Sequence, residues 1–314
     1  MASSRVLFVF LDGVGVGNDD PSINPLSAAD APELLEILEG RKAVSESVPF
    51  VGARAAAMAL DATLGIPGLP QSGTGQIALL TGLNAAERFG RHFGPYAPTT
   101  LRSLVEQESL LARTARAGRR VAFANGYPAG LIAMAADSGR RPLPLRAAIT
   151  IAALGAGVLN RDEADIISGN AVASEITHDS WRKFATRPDI PAIAPVQAGR
   201  NLARIANSHD LTLFAHYATD SAGHLKDLTA GVAAWRLVDE FIGGVVSDLD
   251  DDLLLIIASD HGNLEDARTQ HTLNPALCIV VGPGHQKLAG RLRALTDVTP
   301  ELLGLLTTRG CRPA

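Results

Sequence analysis

The chain has 314 residues, 46% of them hydrophobic, and a formal net charge of −5. That length can bury one large α/β core with a smaller insertion, and the mild acidity lacks the basic footprint of a nucleic-acid-binding protein. No apolar run approaches the ~18 residues of a membrane span, the apolar N-terminal stretch from Val6 to Leu11 is short for a secretory signal, and Cys278 and Cys311 cannot form a disulfide framework. A cytoplasmic protein with no membrane partner is expected.

In chain order, the first predicted strand is "VLFVFL" (6–11), which ends in Asp12. A helix is expected at 31–40. The stretch "GLPQSGTGQIALLTG" (68–82) then crowds Gly, Ser and Thr before a short apolar run. Such residues are poor helix formers, yet they suit a helix start that holds an anion. With Ser72 as N-cap, the amides of Gly73, Thr74 and Gly75 would be unpaired donors at the positive end of the helix, a seat for phosphate. A helix at 109–118 and a strand "VAFA" (121–124) follow. Residues 128–195 break the strand–helix rhythm with a basic loop, an Ala-rich helix and a polar segment, and are expected to form an inserted cap over the sheet edge. The rhythm resumes with a helix at 197–208, strand "LTLFAHY" (211–217), a helix at 231–249, strand "LLLIIAS" (253–259) and a fifth apolar run, "LCIVVG" (277–282). Continuous apolar strands alternating with helices indicate a doubly wound, mostly parallel α/β sheet covered on both faces. The core is expected to comprise 1–127 and 196–314.

Several strands end in polar groups that a buried strand does not need. Asp12 follows the first, "YATDSAGHLKD" after the next-to-last parallel run carries Asp220 and His224, and "SDHGNLED" carries Asp260 and His261; His271 precedes the fifth run in "TQHTLNP". In open α/β sheets, ligands bind beyond the carboxyl ends of the strands, so these six side chains should converge. Three carboxylates and three imidazoles crowded together are unfavourable without cations. Six N/O ligands are enough for two divalent ions, Mn²⁺ or Zn²⁺ by ligand type, with Mg²⁺ or Fe also compatible. A serine oxygen set between metal and anion is a nucleophile.

The ordered set "LDG", "GLPQSGTGQIALLTG", "TDSAGH", "SDHGN" and "HTLNP" resembles the alkaline phosphatase superfamily, and within it the metalloenzyme branch that contains cofactor-independent phosphoglycerate mutase and phosphopentomutase. The resemblance implies one ion held by Asp220, His224 and His271, and another held by Asp12, Asp260, His261 and the Ser72 oxygen. In that family the nucleophile lies ten residues before the glycine closing the helix, which selects Ser72 before Gly82, with Thr74 as the rival. Gln76 stands where the mutase has a histidine, and the insertion is much smaller than the mutase's. The implied activity is phosphoryl transfer to and from a small phosphorylated substrate through a phosphoserine. Hydrolysis is the first reading, a phosphomutase the alternative, and a non-catalytic metal-binding protein the remote one. His92, Asn125, Arg141, His178 and Arg182 are the candidate substrate contacts; His209, His216 and His285 read as structural or exposed.

Overall fold

The computed structural model describes residues 5–135, 142–183 and 187–307. A seven-stranded sheet organises them: β1 (Arg5–Leu11), β2 (Phe50–Val51), β3 (Ala55–Leu60), β4 (Val121–Phe123), β5 (Leu211–His216), β6 (Leu253–Ser259) and β7 (Ala276–Val281), in spatial order β2-β3-β7-β6-β1-β5-β4. β6, β1, β5 and β4 run parallel, and β7 is antiparallel to both β6 and β3. The α/β class expected from the sequence is the one observed, but the sheet is mixed rather than mostly parallel: three strand pairings are parallel and three antiparallel. Strand β3 escaped prediction because "AAAMAL" carries little β propensity; burial between β7 and β2 makes it a strand.

Alternate residues of β1 serve the two faces. Val6, Phe8 and Phe10 join one apolar cluster, while Leu7, Val9 and Leu11 join the other. This two-sided burial explains why the strand reads as an unbroken apolar run. The helices Pro195–Asn207 and Leu228–Asp248 cover the second face. The first is covered partly by Ser72–Thr81 and Leu295–Thr307, which pack on each other and share a hydrogen bond from Thr299 Oγ1 to the Leu79 carbonyl at 2.8 Å. Among the described residues, no helix is long and apolar enough to cross a membrane.

The expected cap is not set apart throughout. Its Ala-rich helix, Ala148–Gly155, buries Ile149, Ile151, Ala152 and Ala153 in the same cluster as Phe8 and Ile77. A separate small cluster of Ile166, Ala171, Ala173, Trp181 and Ile190 lies farther along 128–195. The boundary drawn from the sequence therefore cuts through the core, because an Ala-rich helix carries no mark of which surface it will meet.

Candidate metal centre

The polar groups at the strand ends do converge. Asp12 immediately follows β1, Asp260 and His261 immediately follow β6, and Asp220 and His224 lie one turn apart on the short helix Ala218–Leu225 after β5. His271 comes five residues before β7. Because β7 is antiparallel to β6, its entrance lies on the same edge as the exits of the parallel strands. Strand direction thus brings His271 to the others.

Two groups of ligand atoms form there, each gathered within 4.8 Å: Asp220, His224 and His271, and Asp12, Asp220 and His261. The first is the expected set. The second differs in that Asp220 stands in both, while Asp260 sits at its side with Oδ2 3.8 Å from His261 Nε2. His271 Nε2 and His224 Nε2 face each other at 3.3 Å, and the His261 and His271 rings stack with centroids 4.2 Å apart. Ser72 Oγ is 2.9 Å from His261 Nε2, which also lies 3.5 Å from Asp12 Oδ1.

These residues fit cations on two grounds. Asp12 Oδ1 and Asp260 Oδ2 are buried and accept no hydrogen bond among the described residues. Burial, with Asp12 beside it, holds the Asp260 carboxyl well above the usual carboxylate range, and burial likewise raises Asp12. Burial opposes charging His261, but Asp260, Asp12 and Asp220 outweigh it and push its pKa up to about 10. Such mutual distortion is what divalent ions relieve. His271 is also oriented as a ligand. His271 Nδ1 faces the Pro70 carbonyl at 2.9 Å and donates to it, which leaves the Nε2 lone pair facing Asp220 and His224. Carbonyl partners on the far nitrogen are the usual support of a metal-bound histidine.

The helix carrying Ser72 departs from expectation. Its N-cap is Gln71, so Ser72 is the first helical residue. The amides of Thr74 and Gly75 already donate, to the Phe93 and Gln71 carbonyls at 2.9 Å each. Of the three amides expected to hold an anion, only that of Gly73 has no acceptor among the described residues. The glycines serve close approach. A Cβ at Gly73 would overlap the Tyr96 carbonyl and stand 2.6 Å from that of Phe93, and a Cβ at Gly75 would stand 2.8 Å from the Asp260 carbonyl. Lacking side chains, Gly73 lets the helix start press against the loop at Phe93 and Tyr96, and Gly75 lets it press against the loop that begins at Asp260, beside His261. Thr74 Oγ1 turns to the loop, where it accepts from the Phe93 amide at 3.1 Å.

The candidate substrate contacts do not gather here. Asn125 is buried and exchanges two 2.8 Å hydrogen bonds with the Ala215 backbone, extending the β4–β5 pairing. His178 is 3% exposed and donates to the Pro191 carbonyl at 2.7 Å. His92 Nε2 lies 3.1 Å from the Ile66 carbonyl, and Arg182 is exposed on the short helix Asp179–Lys183. Arg141 lies outside the described residues. Instead, Gln76, Tyr96, Tyr127, Ser174 and Tyr217 line a cavity of about 340 Å³ that opens on Asp12 and Asp220. Gln76 Nε2 points at Asp12 Oδ2, 3.4 Å away. Asn263 and Glu265, which are not among the expected site residues, lie in the same loop as His261.

The profile of the Metalloenzyme superfamily matches residues 4–309. The 2,3-bisphosphoglycerate-independent phosphoglycerate mutase of Moorella thermoacetica is 30% identical over 132 residues, which is 40% of this chain and 26% of that protein. The alkaline phosphatase of the Antarctic bacterium TAB5 superposes with a TM-score of 0.51 at 12% identity, covering 97% of this chain and 98% of that one. Leishmania mexicana phosphoglycerate mutase gives a TM-score of 0.51 at 13% identity, with 100% and 98% covered. These two likenesses are of fold. A family match over nearly the whole chain, lying on a cluster of carboxylates and imidazoles that calls for cations, makes this chain a member of the Metalloenzyme superfamily.

Proposed function

We propose that the chain is a two-metal phosphoryl-transfer enzyme that hydrolyses a small phosphate ester through a phosphoserine at Ser72. The observation that carries this reading is the Ser72 hydroxyl, buried 2.9 Å from His261 Nε2 inside the ligand cluster. Asp220, His224 and His271 would hold one ion, and Asp12, Asp260, His261 and Ser72 the other, with Asp220 near both. Divalent ions bound there, Mn²⁺ or Zn²⁺ by ligand type, would supply Lewis acidity and neutralise the carboxylates. The protein's own part is positional. The helix start fixes Ser72 Oγ, which gives up its proton, attacks phosphorus and displaces the ester oxygen. The leaving oxygen departs with a proton, and water then cleaves the phosphoserine to free Ser72 and phosphate. The Gly73 amide, at the positive end of the helix, would be available to the developing charge.

The matched mutases favour a second reading, in which the phosphoserine returns its phosphoryl group to another oxygen of the same substrate. One experiment tests both. Purified chain loaded with Mn²⁺ or Zn²⁺ is assayed for phosphate release from p-nitrophenyl phosphate and from a panel of phosphorylated sugars and nucleotides, with positional isomers followed by NMR. Phosphate release supports hydrolysis, isomerisation without release supports the mutase, and neither, with metal bound, overturns phosphoryl transfer.

A further inference from the structure

Glu265 is 1% exposed and lies between the loops that carry the ligands. Its Oε2 accepts from the backbone amides of Gly15 at 2.9 Å and Asn263 at 2.8 Å. Its Oε1 accepts from the Thr272 hydroxyl and, at 3.1 Å, from the Asn274 side-chain amide. All four partners are neutral donors. We propose that Glu265 is a positioning residue that fixes the two ligand groups relative to each other. The inference rests on the two-metal reading above.

Each partner adjoins a ligand. Gly15 is three residues after Asp12, Asn263 is two after His261, and Thr272 and Asn274 are one and three after His271. Asn263 carries the restraint onward, its Nδ2 donating to Asp220 Oδ1 at 2.6 Å. One carboxylate thus ties down the loop after β1, the loop after β6 and the approach to β7. The chemistry demands an acidic side chain, because only an ionised carboxylate offers acceptor sites to four donors at once. Glutamine has the same shape, but it would turn an NH₂ towards one of the two donor pairs. The surroundings are built around the group as well: a Cβ at Gly15 or Gly262 would overlap the Glu265 carboxylate.

The test uses the full chain and Co²⁺, with equilibrium dialysis for affinity and the visible spectrum for ligand geometry. Glu265→Gln should lose about 10- to 100-fold in Co²⁺ affinity, the usual scale for groups that orient metal ligands, and its visible bands should shift. Glu265→Asp keeps the acceptors on a shorter stem and should recover part of the affinity. Thr272→Val removes one donor on the His271 side, so it should weaken one ion and leave the other near the wild-type affinity. Wild-type affinity and spectrum in a folded Glu265→Gln protein would overturn the positioning role. Should that variant fail to fold by circular dichroism, Thr272→Val decides: undisturbed binding of both ions overturns the role. A wild-type chain that takes up no Co²⁺ instead removes the two-metal reading, and this inference with it, whereas unaffected variants of a metal-binding wild type overturn the inference alone.

Discussion

Gly73 shows at one residue how packing rather than ligand access selects a glycine. Any Cβ there meets backbone carbonyls of Phe93 and Tyr96, which cannot rotate away as a side chain could. Gly73→Ala should therefore destabilise the fold by about 1–3 kcal/mol, as overpacking does, and lower turnover by moving Ser72; denaturant midpoints and steady-state rates check both. Ser72→Ala should leave the fold intact and cut turnover by at least about 10³-fold. Thr74→Ala, which loses the hydroxyl that accepts from the Phe93 amide, should be much milder, and the reverse order would transfer the nucleophile to Thr74. His216 gives a pH dependence. Buried at the end of β5 with Nδ1 donating to the Ser174 carbonyl at 2.7 Å, it is pushed by burial from the ordinary 6.5 down to about 4. The unfolded chain then binds the proton more readily than the folded one, so this contribution is intact above pH 6.5 and is lost as the pH falls towards 4. The loss reaches about 3 kcal/mol. His216→Asn, which keeps a donor for Ser174 but does not titrate, should flatten that part of the stability profile in denaturant titrations across pH.

At the scale of elements, the sequence places the helix Ala148–Gly155 in a cap and leaves the direction of strand β7 open, for the same reason. Apolar composition reports that a segment is buried; it does not report against what, or in which direction. If the helix belongs to the core, Ile151→Ala should cost about 2–5 kcal/mol, as a buried aliphatic truncation does, and shift the single unfolding transition of the protein. A separately unfolding cap would leave the main transition in place. For β7, the antiparallel pairing with β6 is what delivers His271, since a parallel strand would place its entrance at the opposite sheet edge. His178 and Asn125 are comparable cases among side chains. Both are polar residues of the kind found in binding sites, and each instead satisfies a carbonyl in the interior.

Over the whole molecule, the carboxylates and imidazoles at the sheet edge couple metal binding to protons and to stability. Burial raises the carboxyls of Asp12 and Asp260, and the neighbouring carboxylates raise His261, while ligation requires all three deprotonated. Mn²⁺ binding should therefore release protons, measured by calorimetry in two buffers of different ionisation enthalpy, and its affinity should fall as the pH falls. At a concentration of 100 times Kd, each ion should add about 2.7 kcal/mol to stability, seen as a rise in Tm that EDTA reverses. By itself the sequence determined the α/β class, five of the seven strands, several of the longer helices, and the polar residues that gather at the strand ends, because those signals are local: apolar runs, their periodicity, and polar residues where a buried strand should stop. Only the tertiary structure decided that Asp220 stands between both groups, that the amides of Thr74 and Gly75 are already bonded, and that Glu265 joins three loops. The first and third depend on distances between residues as many as 250 positions apart in the chain, and such distances are set by strand order and direction, which no single segment encodes; the second depends on Gln71 and on the loop at Phe93 folding back onto the helix start.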